Sequence, residues 1–246
     1  MERQTIELEV NGFKVPALFD DEVVEGLLRP MVERLFALKA EKEGRLVAFL
    51  VGPPGAGKST LSLMIQRLAD EREPGVLQAL AMDGFHHTAA YIASHTVERD
   101  GQAVPMARVK GSPESYDVAK LEAAIRALKN GPVGWPAYDR RLHDVVEDAT
   151  QVTGGIALVE GNWLLMNEPG FSKLRELSDY SIALSADEAL LKDRLIGRKL
   201  MGGTSREKAE AHYAFCDWPN ILRYHQNSAQ GDVNLRMTGD GMFERI

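Results

Sequence analysis

The chain has 246 residues, 44% of them hydrophobic and 26% charged, enough for one elaborated domain with a substantial core. Its 29 basic and 36 acidic side chains leave a net charge of −7, which argues against a broad cationic footprint for a nucleic-acid backbone. A lone Cys216, an opening MERQTIELEV without a signal-peptide core, and a longest strongly apolar run of only residues 46–51 predict a cytoplasmic protein with neither internal disulfide nor membrane span.

Residues 6–10 and 13–15 flank Asn11-Gly12, a dipeptide that tolerates the positive φ of a tight turn, so a hairpin is expected there. From Asp20 to about Lys42, Val23, Leu27, Leu28, Met31, Leu35 and Leu38 recur at three- and four-residue steps and predict a helix. Residues 46–51, 76–82, 156–159 and 181–184 have the length and apolarity of buried parallel strands, with 233–237 as a fifth. Helical faces follow at Leu61, Met64, Ile65 and Leu68, and at Val118, Leu121, Ile125 and Leu128 before the stop at Asn130-Gly131-Pro132. Ser185 with Glu188 and Thr204 with Glu207 have the spacing of capping boxes. This order predicts an α/β fold: a parallel sheet of about five strands flanked by helices, one domain over residues 1–246. Residues 84–155 are too long for a single crossover helix and are expected to hold a substrate-binding insertion.

Between the first apolar strand and its helix stands GPPGAGKS: Gly52, Pro53, Pro54, Gly55, Ala56, Gly57, Lys58 and Ser59, followed by Thr60. Such a loop turns backbone amides toward phosphate oxygens, its lysine reaches the β and γ phosphates, and its serine hydroxyl can ligate Mg²⁺. A nucleotide site is expected, with ATP and Mg²⁺. A guanine-reading N-K-x-D segment is not found after the fourth strand, where Leu184-Ser185-Ala186-Asp187 stands, which lowers the GTPase reading. Two strands end in carboxylates. Glu160, closing IALVE, is a candidate metal carboxylate. Asp83, in MDGFHH, can take a proton from a substrate hydroxyl, or else simply make a turn with Gly84. His86 and His87 lack metal-ligand spacing and read as solvated loop residues.

GPPGAGKS at 52–59, MDGFHH at 82–87, KGSPESYD at 110–117, PAYDRRLHD at 136–144, VEGNWLL at 159–165 and RLIGRKLMGG at 194–203 together resemble the phosphoribulokinase, uridine kinase and pantothenate kinase family. EGNWLL and Asp217-Trp218-Pro219-Asn220 look most like its nucleoside kinase-like or fructose-transport-system kinase-like branch. The resemblance implies the P-loop nucleoside triphosphate hydrolase fold, Asp83 as catalytic base, Glu160 at the Walker B position, and Arg194 and Arg198 on a lid at about 194–206 with Gly202-Gly203 as hinge. It also implies that Lys110, Tyr116, Tyr138, Arg140 and His143 surround the acceptor. Trp218 and Asn220 have the simpler reading of capping or packing a C-terminal helix.

The function expected is ATP-dependent transfer of a γ-phosphoryl group to a hydroxyl of a small metabolite. The partner is that acceptor, not nucleic acid or membrane, and a homodimer is compatible with the chain. Trp135, Tyr138 and Phe85 offer ring faces and Asp83, Arg140 and His143 hydrogen bonds, which favours a sugar or nucleoside. The alternatives are a pantothenate kinase-like activity, suggested by KGSPESYD, and an ATPase switch acting through a protein partner. Should Asp83 be only a turn residue, His143 and Asp139 are the next candidate bases.

Overall fold

Uniformly apolar strands need cover on both faces, and alternation decides which side chain meets which cover. The computed structural model describes residues 3–10, 13–99 and 101–246. It begins with β1 (Arg3–Val10) and β2 (Phe13–Asp20), paired antiparallel from Arg3 opposite Asp20 to Val10 opposite Phe13. The expected Asn11-Gly12 turn lies outside the described residues. Next come α1 (Asp21–Val23), a π-turn over Val24–Leu28 and α2 (Arg29–Ala40). The single α-helix expected over 20–42 is therefore interrupted. Pro30, at the start of α2, has no N–H to return to the preceding turn, and the π-turn absorbs the missing bond.

The central strands and helices follow as β3 (Leu46–Val51), α3 (Lys58–Arg72) and β4 (Leu77–Ala81). The long connection holds α4 (Ala89–Ser94), β5 (Thr96–Arg99), β6 (Gln102–Pro105), α5 (Val118–Leu128), β7 (Val133–Asp139) and β8 (Asp144–Val152). Then come β9 (Ile156–Gly161), β10 (Tyr180–Ala186), α6 (Glu188–Met201), α7 (Arg206–His212), α8 (Trp218–Asn227), β11 (Val233–Gly239) and β12 (Met242–Arg245). The main sheet runs β4-β9-β3-β10-β11-β12. Its first five strands are parallel, and β12 adds an antiparallel edge that the periodicity did not announce.

On one face Leu46, Ala48 and Leu50 pack with Ile156, Leu158 and Ile182 against α2, α3 and α6. On the other, Val47, Phe49 and Val51 pack with Ala157 and Val159 against Leu121, Ile125 and Leu128 of α5. Part of the 84–155 segment is thus a core-covering crossover helix, and the β5–β6 and β7–β8 hairpins are what it adds. Arg45, buried where β3 begins, donates to the carbonyls of Gly154, Leu128, Gly131 and Val152 at 2.6–2.9 Å. It ties the end of α5 and the end of β8 to the start of β3.

Both expected capping boxes are displaced. Ser185 remains inside β10, where its hydroxyl donates to the Leu235 carbonyl, and Asp187 precedes α6. At α7 the cap is Ser205, accepting from the Lys208 amide, rather than Thr204. A capping pattern identifies a helix start to within a residue or two, and the strand or loop before it decides which hydroxyl arrives. Among the described residues, no helix is long and apolar enough to cross a membrane.

Candidate active site

The carboxyl ends of β3, β4 and β9 meet at one edge of the sheet, and the loop that leaves β3 supplies the first part of the site. Gly55 and Gly57 take φ of +85° and +78°, a region that side chains with a Cβ resist, and so turn Gly52–Gly57 into a concave loop at the start of α3. The Ala56 amide donates to Pro53, and the Leu61 amide to Gly57 begins the first helical turn. Lys58 is buried and donates to the Pro53 carbonyl at 3.0 Å. Burial pushes its ammonium down to about 8, with Arg198 adding to the effect and the carboxylates of Glu160 and Asp83 opposing it. Ser59 donates its hydroxyl to Glu160 Oε1 at 2.6 Å. Burial, and secondarily Asp83, raise the Glu160 carboxyl against Lys58, Ser59 and Arg140.

Asp83 lies in a 3₁₀ turn, Met82–Phe85, directly after β4. The turn packs against β7 so closely that a Cβ on Gly84 would come 2.1 Å from the Pro136 carbonyl oxygen. Gly84 is therefore a close-approach glycine as well as a turn residue. Tyr116 is buried and donates to Asp83 Oδ1 at 3.1 Å. Burial works to raise the Asp83 carboxyl, but His86, Arg140, the Tyr116 hydrogen bond and Lys58 outweigh it and hold the group below its ordinary value.

His86 corrects the expectation of a solvated loop histidine. It is buried, its ring centre is 3.9 Å from that of Tyr116 and 5.6 Å from that of Tyr138, and Nδ1 lies 2.9 Å from the Asp83 carbonyl. A carbonyl can only accept, so Nδ1 carries a proton, while Nε2 is buried with no hydrogen-bond partner among the described residues. Burial, together with Lys110 and His87, lowers its pKa against the pull of Asp83. His87 is partly exposed and stacks on Tyr91.

Trp135 and Phe85 require a second correction. They are 2% and 1% exposed and pack edge to face, ring centres 4.8 Å apart, with the indole donating to the Ala81 carbonyl. Both are core residues beneath the turn and present no ring face to an acceptor. A bulge between Trp135 and Ala137 breaks the alternation of β7, so Trp135 and Pro136 are both buried while Tyr138 is half-buried. Lys110 donates to the Tyr138 hydroxyl at 2.5 Å, its ammonium 3.9 Å from the centre of that ring. Arg140 is exposed at the end of β7, close enough for its charge to act on Asp83, Glu160 and Arg198. His143 is exposed on the β7–β8 turn with φ +54° and acts on Asp139, and the structure does not bring it to Asp83. Asp139 Oδ1 accepts from the Arg141 and Leu142 amides and braces the turn.

The two α6 arginines differ. Arg194 donates to the Gly55 carbonyl at 2.8 Å and pairs with Asp240 on the β11–β12 turn, so it braces the loop from outside. Arg198 is solvent-exposed and makes no ion pair among the described residues; desolvation and Arg140 lower its pKa, while Asp217 and Asp83 oppose them. Asp217 comes from a π-turn, Tyr213–Asp217, between α7 and α8. Trp218 opens α8 against the core, and Asn220 is buried, 3.9 Å from the Cys216 sulfur.

No family model matches the chain. An uncharacterised protein of Escherichia coli, YggC, is 42% identical over 240 residues, covering 97% of this chain and 98% of that protein. A putative uridine kinase of Schizosaccharomyces pombe is 26% identical over 200 residues, 78% of this chain and 83% of its own. A pantothenate kinase of Lactococcus lactis is 29% identical over 162 residues, and the match spans about half of that enzyme, 50%. Among solved structures, a putative fructose transport system kinase from Silicibacter superposes with a TM-score of 0.74 at 28% identity, over 84% of this chain and 98% of that one.

Proposed function

Because the chain belongs to the phosphoribulokinase, uridine kinase and pantothenate kinase family of P-loop small-molecule kinases, we propose that it transfers the γ-phosphoryl group of ATP to a hydroxyl of a small metabolite, with Asp83 as the base. The single observation that carries this reading is the convergence of Lys58, Glu160, Asp83, Arg140 and Arg198, whose charges act on one another at the mouth of one phosphate loop.

The residues present fit magnesium and a triphosphate. Ser59 and Glu160 are hard oxygen donors brought side by side by their hydrogen bond, the ligand type magnesium takes, and the glycine-rich loop at the head of a 15-residue helix suits phosphate. Magnesium, when bound, neutralises charge on the β and γ phosphates. Lys58 exchanges its bond to the Pro53 carbonyl for phosphate oxygens, regaining a partner for a buried charge. Asp83 accepts the acceptor's proton as that oxygen bonds to the γ-phosphorus and the bond to the bridging oxygen breaks, leaving ADP. Tyr116 holds Asp83 in place and favours its ionised form. Arg198, which makes no ion pair among the described residues, is free to meet charge on the transferring group, and Gly202-Gly203 after α6 serves as the hinge of that lid.

The test is an ATP-consumption screen over sugars, nucleosides, polyols and vitamin precursors with product mass as readout, repeated on Asp83→Asn. Transfer in the wild type, with kcat reduced roughly 10²-fold or more and ATP affinity within a few fold in the variant, is the expected result. Full activity in Asp83→Asn refutes the assignment of the base, and no product from any acceptor refutes the kinase.

A further inference from the structure

Outside the phosphate loop, three metal-ligating side chains converge where α7 passes into α8. His212 closes α7, and Cys216 and Asp217 end the π-turn over Tyr213–Asp217. Their imidazole nitrogen, thiol sulfur and carboxylate oxygen all lie within 4.8 Å of one another. The π-turn is what gathers them. On an α-helix a histidine and a cysteine four residues apart share a face, but the residue at i+5 turns away by about 140°. Here the Trp218 amide returns to the Tyr213 carbonyl, five residues back, and Pro219 has no N–H with which to restore the narrower pattern. The wider turn carries Asp217 round to the side of His212 and Cys216.

The carboxylate is the group that points to a ligand. Asp217 is 8% exposed, and its Oδ2 is buried with no hydrogen-bond partner among the described residues. His212 Nε2 lies 3.8 Å from it, too far for a hydrogen bond and near the separation of about 3.4–3.6 Å between ligand atoms on a tetrahedral zinc ion. Cys216 Sγ contacts the Lys110 carbonyl at 3.5 Å, and Asn220 Nδ2 donates to it at 3.9 Å, the kind of outer partner that orients a metal-bound thiolate. Lys199 and Arg198 of α6 act on His212 and Asp217, and Lys199 and Arg99 on Cys216; their charge favours the ionised carboxylate and thiolate. Burial, with Asp217, outweighs them at the free thiol and pushes it up to about 12. His212 is half-exposed and opens on a cleft lined by Ala107, Arg108, Ala211 and Phe215, which gives an ion a way in. Sulfur and imidazole beside one carboxylate are the donors of zinc, whereas magnesium takes oxygen.

We propose that His212, Cys216 and Asp217 form a zinc site with water in the fourth position. The Cys216 S–H bond breaks as the zinc–sulfur bond forms, its proton leaves to solvent, and thiolate and carboxylate together balance the two charges of the ion. The half-exposed imidazole is the ligand that closes on the two buried ones. Zinc then fastens the end of α7, which follows the Gly202-Gly203 turn, to the π-turn ahead of α8. The site does not depend on the kinase reading and is separate from the Ser59 and Glu160 pair.

Untagged protein, stripped with a chelator and titrated with Co²⁺, tests the proposal. Cys216 is the chain's single cysteine, so a thiolate-to-cobalt charge-transfer band reports this sulfur alone. The band is expected to saturate at one equivalent, to vanish on addition of Zn²⁺, and to persist in excess Mg²⁺. Cys216→Ser should lose it. His212→Gln, at a half-exposed position that folding does not depend on, should weaken Co²⁺ and Zn²⁺ binding about a hundredfold or more. Zn²⁺ should also raise the melting temperature of the wild type and raise that of His212→Gln less. A wild type without the band, or a band of undiminished affinity in His212→Gln, overturns the proposal. So does saturation at half an equivalent, which would mean an ion bridging two chains, or Zn²⁺ affinity unchanged in a folded Cys216→Ser, which would place the ion elsewhere.

Discussion

Tyr116 is one of the groups, after His86 and Arg140, that favour the ionised Asp83, and its effect is measurable. Its hydroxyl donates to the charged carboxylate, so its removal takes away one of the interactions that hold Asp83 below its ordinary value. In Tyr116→Phe the acid limb of kcat/KM should move to higher pH, by a fraction of a unit to about one unit. An unmoved limb would separate Asp83 from the titration that limits the rate. Gly84 is decisive at the same scale for a steric reason. The carbonyl of Pro136 occupies the space a methyl would need, so Gly84→Ala must push the Met82–Phe85 turn off β7. The expected result is a loss of about 1–3 kcal/mol in denaturant unfolding and a larger proportional loss of kcat than of ATP affinity.

At the level of elements, Glu114 joins three segments. It accepts two bonds from Arg99 of β5 and one from Arg223 of α8, which also holds Glu168. Burial acts to raise its carboxyl, but the two arginines overcome this and bring it to about 2. A carboxyl with a depressed folded pKa contributes stability above its unfolded value, near 4.5, and loses it as pH falls from there toward 2. Glu114→Gln should therefore cost about 1–3 kcal/mol at pH 7, and its difference from wild type should shrink between pH 4.5 and 2. A pH-independent difference in urea midpoints would assign the loss to packing instead. Arg45 offers a second element-scale test. Four carbonyls from the α5–β9 region converge on it, so Arg45→Met should lower stability by about 3 kcal/mol or more.

Across the whole molecule, the proposed nucleotide site draws on residues from positions 52 to 198, so a ligand there stabilises many elements together. Mg-ATP at a hundredfold excess over its dissociation constant should add about 2.7 kcal/mol, which for a chain of this size is roughly 5–10 °C in melting temperature. Lys58→Ala should abolish most of that shift while remaining folded. An equal shift in the variant would place the nucleotide elsewhere.

The signals that proved legible without a structure were local ones. Five apolar strands, a glycine-rich loop between strand and helix, and carboxylates at two strand ends follow from period and spacing, because those patterns act within a few residues. Motif order named Lys110, Tyr116, Tyr138 and Arg140 as candidates around an acceptor, although spacing alone could not say which way any of them faced. Tertiary structure decided what neighbours decide. His86 looked like a loop histidine until Tyr116 and Tyr138 enclosed it, and Trp135 and Phe85 looked like stacking faces until the Met82–Phe85 turn closed over β7. Arg194 and Arg198, one helical turn apart, were indistinguishable until Asp240 and the Gly55 carbonyl took one and left the other open. Burial and charge pairing depend on residues distant in the chain, and a one-dimensional pattern carries the contacts of neither.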